Sequence, residues 1–209
     1  MSSQPVPPPR FVAHRVADLQ LRGAAGRRRA RAYWPSPSTP AAEPALLVLF
    51  GGHESKFDGV DGIDSLGRGL CVLGGVVVLS AAPPSGLRRA SPISVDEATG
   101  IVGWAADHAG ELGADPRQLV LAGEGSSAAV VAAVALHARD HGWPHLARQL
   151  LIEPEGDAPG AFVSGVAPAT VVTVASDVDQ SLVDMATELR HSLEASTRRR
   201  PHAAGASND

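Results

Sequence analysis

The stretch that decides the fold runs Gln118-Leu119-Val120-Leu121-Ala122-Gly123-Glu124-Gly125-Ser126-Ser127 and continues through Ala128 to Arg139. Four apolar residues in a row suit a strand buried on both faces, the pattern of a parallel sheet. A glycine-containing turn follows, and then an Ala/Val-rich run with helical character. A buried strand that passes through a tight turn straight into a helix is half of a βαβ unit.

Working outward, the same alternation recurs. Ala45 to Phe50 and Val76 to Leu79 read as buried strands, and Gln149 to Ile152 and Thr170 to Val174 as shorter ones. Helices are expected around Ser65 to Cys71, over Ser94 to Leu112 and over Ser181 to Leu193. Ser94 and Glu97 have the spacing of a capping box. Ahead of these, Phe11 to Leu21 and Arg28 to Trp34 read as two strands joined by the turn Gly23-Ala24-Ala25-Gly26. Pro35 to Pro44 and Pro83 to Pro92 read as loops. The whole is a doubly wound, mostly parallel α/β sheet with helices on both faces. Residues 1–10 read as a flexible leader, 11–196 as one domain and 197–209, with Arg198-Arg199-Arg200, as a disordered tail.

Composition narrows the function classes. The 209 residues are 44% hydrophobic but only 4% aromatic, so the core is built of Val, Leu and Ala. A net charge of −4 gives no electrostatic case for nucleic acid. No apolar run approaches a membrane span, no apolar core of a signal peptide is visible near Met1, and a cytoplasmic protein without membrane partners is the expectation. Cys71, the only cysteine, reads as a small core residue.

The sequence of elements, with Glu111-Leu112-Gly113-Ala114-Asp115-Pro116, the turn from Gly123 and the helix to Asp140, resembles the hormone-sensitive-lipase-type esterases of the α/β-hydrolase superfamily. Val171-Val172-Thr173 to Asp177, with the helix ending Glu188-Leu189-Arg190, and the Gly-rich loop after Phe50 extend the likeness over about Val16 to Arg190. In that superfamily the strand-to-helix elbow carries the nucleophile within G-x-S-x-G. Here the nucleophile position falls on Gly125, which has no side chain with which to form an acyl-enzyme. The flanking glycine position falls on Ser127. Ser126 and Ser127 are the displaced candidates for a nucleophile; otherwise they are helix N-terminal residues with local hydrogen bonds.

The oxyanion-hole motif falls on Gly51-Gly52-His53-Glu54, so the oxyanion-hole-like positions are Gly51, Gly52 and Ser126, and an inward Glu54 would repel an oxyanion. The acid position falls on Asp177, with Asp179 the alternative in a shifted register; a strand-end Asp is otherwise a capping residue. No histidine occupies the triad position: His191 lies within a helix and His202 in the tail. The family's cap, with only Glu153 to Pro168 in its place, and its last strand are expected to be lacking.

Other clusters are less specific. His137, His141 and His145 could be imagined as metal ligands, but Gly142 and Pro144 interrupt the helix, so an exposed helix end is expected and no metal. Asp58, Asp61 and Asp64 read as a solvated acidic loop. Gly123-Glu124-Gly125 lacks the rest of a phosphate-binding fingerprint. The resemblance therefore implies a relative of carboxylic-ester hydrolases that has lost its catalytic groups and works as a binding or interaction protein, without cofactor. A small hydrophobic ester or acyl ligand, and a homodimer or protein partner on an exposed sheet edge, are the partners it implies. The sequence also leaves open an active hydrolase using Ser126 or Ser127, with His53 as base, and a decaying remnant.

Overall fold

The computed structural model describes residues 11–23, 26–37, 43–51, 62–81, 93–155 and 163–198. The chain runs β1 (Arg15–Gly23), β2 (Gly26–Trp34), β3 (Ala45–Phe50), α1 (Gly62–Gly74), β4 (Val77–Ala81), α2 (Val95–Asp107), β5 (Asp115–Glu124), α3 (Ser127–His141), β6 (Leu146–Ile152), β7 (Ala169–Val172) and α4 (Val178–Arg198). The strands form one seven-stranded sheet in the order β1-β2-β4-β3-β5-β6-β7. β2 is antiparallel to both β1 and β4; every other pairing is parallel.

The continuous apolar runs follow from a sheet covered on both sides. Successive side chains of a strand point to opposite faces. In β3, Leu46, Val48 and Phe50 join the layer under α2 and α3, while Ala45, Leu47 and Leu49 join the layer under α1 and α4. β5 divides likewise, Leu119 and Leu121 to one side and Val120 and Ala122 to the other. Each such Leu or Val removed from water contributes about 1.5–3 kcal/mol, so a polar substitution at Val48 or Leu121 would break the layer it enters.

Several expectations need correction. The helix from Ser94 stops at Asp107 instead of Leu112; turns containing Gly110 and Gly113 (φ 71°) follow, and the Leu112 carbonyl accepts a bond from the Trp34 indole at 2.7 Å. The capping box is half made: Ser94 Oγ accepts from the Glu97 N–H at 3.3 Å, but the buried Glu97 carboxylate pairs with Arg28 of β2. The last helix runs from Val178 to Arg198, longer at both ends than expected and through the first residues assigned to the tail. Leu182, Met185, Leu189 and Leu193, spaced along one face, pack into the α1–α4 layer. β1 is shifted along the chain, beginning only at Arg15 and running on to Gly23, and β2 starts earlier than the run read for it, at Gly26. No described helix is long and apolar enough to cross a membrane.

Candidate functional site: the strand-to-helix elbow

β5 delivers the chain to the elbow between its parallel neighbours β3 and β6, with Gly123 opposite Phe50 on one side and Leu151 on the other. Gly123 must be glycine. A Cβ there would stand 2.5 Å from the Ser127 carbonyl oxygen and 2.8 Å from Val131 Cγ2. The helix leaves so tightly over the strand end that only a bare backbone fits.

Gly125 holds φ at 58°, the left-handed conformation that costs an L-residue about 1–2 kcal/mol and glycine nothing. Its N–H donates to the Ile152 carbonyl at 2.9 Å and its carbonyl accepts from Ala128 at 3.1 Å. The turn therefore has the strained elbow shape without a side chain on it. The Glu155 side chain occupies the adjacent space: its Oε1 lies 3.2 Å from where a Cβ of residue 125 would stand.

The two displaced serines differ. Ser127 has no exposed surface, and its hydroxyl donates to the Gly51 carbonyl at 3.1 Å, tying α3 to the end of β3. This bond is long-range, where a local one was expected. Ser126 is half-buried and precedes α3 in a helical conformation (φ −60°, ψ −25°) without a side-chain capping bond, so the local hydrogen bond expected of it is not formed. Gly51, the first oxyanion-hole-like position, is buried against Ile63; a Cβ on it would meet Ile63 Cδ1 at 2.5 Å. Gly52, His53 and Glu54 lie outside the described residues, as do Asp58, Asp61 and His202.

Asp177 is exposed and caps α4. Its Oδ1 accepts from the Gln180 N–H at 3.0 Å, and its carbonyl accepts from the Ser181 N–H and hydroxyl at 3.1 and 2.9 Å. Asp179 stands in the first turn of the same helix, and His191 is exposed on it. Between β6 and β7, Glu153 takes a left-handed backbone (φ 47°) and accepts a bond from the Val174 N–H, stitching the two strand ends together. Glu124, the last residue of β5, is only 2% exposed. Glu124, Glu153 and Glu155 thus bring three carboxylates to the ends of β5 and β6. Only Glu155 packs against the turn from a distant segment, and no local pattern marks it in the sequence.

The remaining candidates resolve into structure. The His137 and His141 rings stack with centroids 3.9 Å apart, with His141 Nδ1 2.9 Å from the His137 carbonyl oxygen; His145 follows the helix and is exposed. Cys71 is buried, and burial pushes its thiol pKa up to about 12. Asp64 is not part of a solvated loop. It lies in the first turn of α1, where Arg31, Arg68 and Tyr33 all donate to it. Burial opposes its charge, but those three donors outweigh burial and hold its pKa below the usual carboxylate range. The signal that could have revealed it is the i, i+4 spacing to Arg68.

Known proteins now bear on this geometry. A family model described as the alpha/beta hydrolase fold matches residues 51–206. Esterase LipI of Mycobacterium tuberculosis is 30% identical over 140 residues, covering 67% of this chain and 44% of LipI. Carboxylic ester hydrolase LipN of the same organism is 33% identical over 147 residues, 68% of this chain and 38% of LipN. The chain thus spans less than half the length of these relatives. Among solved structures, a hyperthermophilic esterase from Pyrobaculum calidifontis superimposes with a TM-score of 0.62 at 24% identity, over 90% of this chain and 72% of that one. EstE1, a carboxylesterase from a metagenomic library, does so with a TM-score of 0.66 at 18% identity, over 88% and 91%. These two share the fold.

Proposed function

The chain belongs to the α/β-hydrolase-fold family and is related to carboxylic-ester hydrolases, and we propose that within it this chain is catalytically silent and serves as a binding or interaction protein. One observation carries the reading: the elbow keeps its left-handed turn, at φ 58°, on a residue with no nucleophile. Acyl transfer needs a nucleophile with a base in reach and donors aimed at a developing oxyanion. Of the candidate groups, Ser127 is committed to Gly51 and Asp177 to the α4 cap. The electrostatics also run the wrong way. Glu155 beside Gly125 places a carboxylate where an ester hydrolase must stabilise negative charge.

The experiment is turnover of p-nitrophenyl butyrate by the purified chain. The rate is expected to equal that of buffer, and Gly125→Ser is expected to leave it there, because a new hydroxyl would meet the Glu155 carboxylate and no histidine among the described residues is placed for it. Turnover by the unaltered chain above buffer would overturn the reading.

One observation favours a second reading. Ser126 is half-buried and its hydroxyl makes no capping bond, so a displaced nucleophile would be Ser126 and not Ser127. Turnover abolished by Ser126→Ala and retained by Ser127→Ala would establish it. As a binding module, the chain would take a small ester or acyl ligand at the strand ends, or another polypeptide on the edge strand β7, where Val171 is 48% exposed.

A further inference from the structure

A second region gathers polar groups that the elbow does not use. The β1–β2 hairpin and the start of α1 enclose a cleft of about 650 Å³, within the size range of small-molecule sites. Strand register decides which side chains share it. Asp18 stands opposite Arg31 and Gln20 opposite Arg29 across β1 and β2, and Arg31 stands opposite Ser80 across β2 and β4. Residues directly opposite in a sheet point to the same face. Asp18, Gln20, Arg29, Arg31 and Ser80 therefore project together, toward the side covered by α1. Ile63 and Asp64 of α1 line the facing wall.

Charge matching within the cleft leaves a remainder. Arg31 bonds to Asp18 at 2.6 Å and to Asp64 at 2.8 Å, and Arg68 bonds to Asp64 at 2.5 Å. Two carboxylates are thus met by two guanidinium groups. Arg29 also lines the cleft, is exposed, and has no ion-pair partner among the described residues. Ser80 is only 4% exposed, and its hydroxyl has no hydrogen-bond partner among the described residues. The Ser80 hydroxyl opens on the cleft, and the Arg29 guanidinium acts on Asp18 only through space, so the cleft contains a donor and a cation with no direct bond to a described residue.

We propose that this cleft binds a small organic monocarboxylate, with Arg29 forking to the carboxylate, the Ser80 hydroxyl donating a further bond, and Ile63 and the Tyr33 ring flanking the body of the ligand. The planar guanidinium matches a carboxylate in a bidentate pair. Among the described groups, with Arg68 on Asp64 counted, one positive charge is left over, which suits a monoanion; the second charge of a phosphate would stand against Asp18 and Asp64. The site is independent of the elbow reading, since its occupancy is a binding event with no ester turnover in it.

The test is titration of the full chain with sodium benzoate, followed by saturation-transfer NMR and calorimetry, with benzamide and inorganic phosphate as comparisons. Saturable benzoate binding is expected, with benzamide about tenfold weaker. Arg29→Ala is expected to weaken benzoate about tenfold and Arg29→Lys by less. Ser80→Ala is expected to weaken it about threefold while leaving thermal stability equal or higher, the opposite of what a purely structural hydroxyl would give. Melting curves of each variant confirm folding. No saturation up to about 20 mM, equal binding of benzamide, tighter binding of phosphate, or an Arg29→Ala variant that binds as the parent does would each overturn the proposal.

Discussion

At the elbow Ser127 is fully buried and its hydroxyl donates to the Gly51 carbonyl, whereas in the hairpin cleft the Ser80 hydroxyl opens on the cleft and donates to no described residue. The same contrast holds for charge. The elbow collects carboxylates, Glu155 nearest to Gly125, while the cleft matches Asp18 and Asp64 with Arg31 and Arg68 and retains Arg29. The difference teaches that chemistry-bearing residue types need not lie where a fold's relatives keep theirs. At the elbow, polar groups have been turned over to holding strands and helices together. In the cleft, some remain available.

The largest effect should come from the glycine that the elbow cannot replace. Gly123→Ala drives a methyl against the Ser127 carbonyl and Val131 and should cost about 3 kcal/mol in urea unfolding. Gly125→Ala, two residues on, meets only the exposed Glu155 carboxylate and should cost about 1 kcal/mol, the strain of a left-handed backbone. Equal losses at the two positions would break the picture of a turn that is tight at one glycine and open at the other.

Next comes the hub of the cleft. Asp64→Asn removes the charge from a carboxylate with three donors and should cost about 2 kcal/mol. The pH dependence has a definite sign. The folded pKa of Asp64 is held below its ordinary value, so its stabilisation is complete above about pH 4, near the unfolded pKa, and is lost as pH falls through the folded value. The difference between the parent and Asp64→Asn should therefore shrink on acidification from pH 7 to about pH 3, read as urea midpoints. A difference that grows instead would contradict the hub.

Smaller still, Ser127→Ala should cost about 1 kcal/mol by removing one buried bond, and Asp177→Ala about 1 kcal/mol by uncapping α4. Both are stability effects alone, and neither should change reactivity toward serine-directed reagents.

Much of this fold could be read from hydrophobic runs, because a strand buried on both faces leaves an unbroken apolar signature: Ala45 to Phe50 was bounded to the residue. The elbow was readable for a different reason, since Gly123 and Gly125 answer to a local steric demand. What stayed hidden depended on contacts between distant segments. Glu97 looked like the second half of a capping box because nothing near it in sequence announces Arg28 across the core. Asp64 looked like one acid among three in a loop because the helix that aims it at Arg68 begins only two residues earlier. Ser126 and Ser127 are identical neighbours in the sequence, and only the approach of Gly51 separates them.

The central claim is that the elbow carries no reactive nucleophile. Intact-protein mass spectrometry after incubation with a fluorophosphonate probes it most directly. The unaltered mass is predicted at every incubation time. A single adduct that maps to Ser126, or to any residue of the turn from Gly123 to Ser127, would contradict the account.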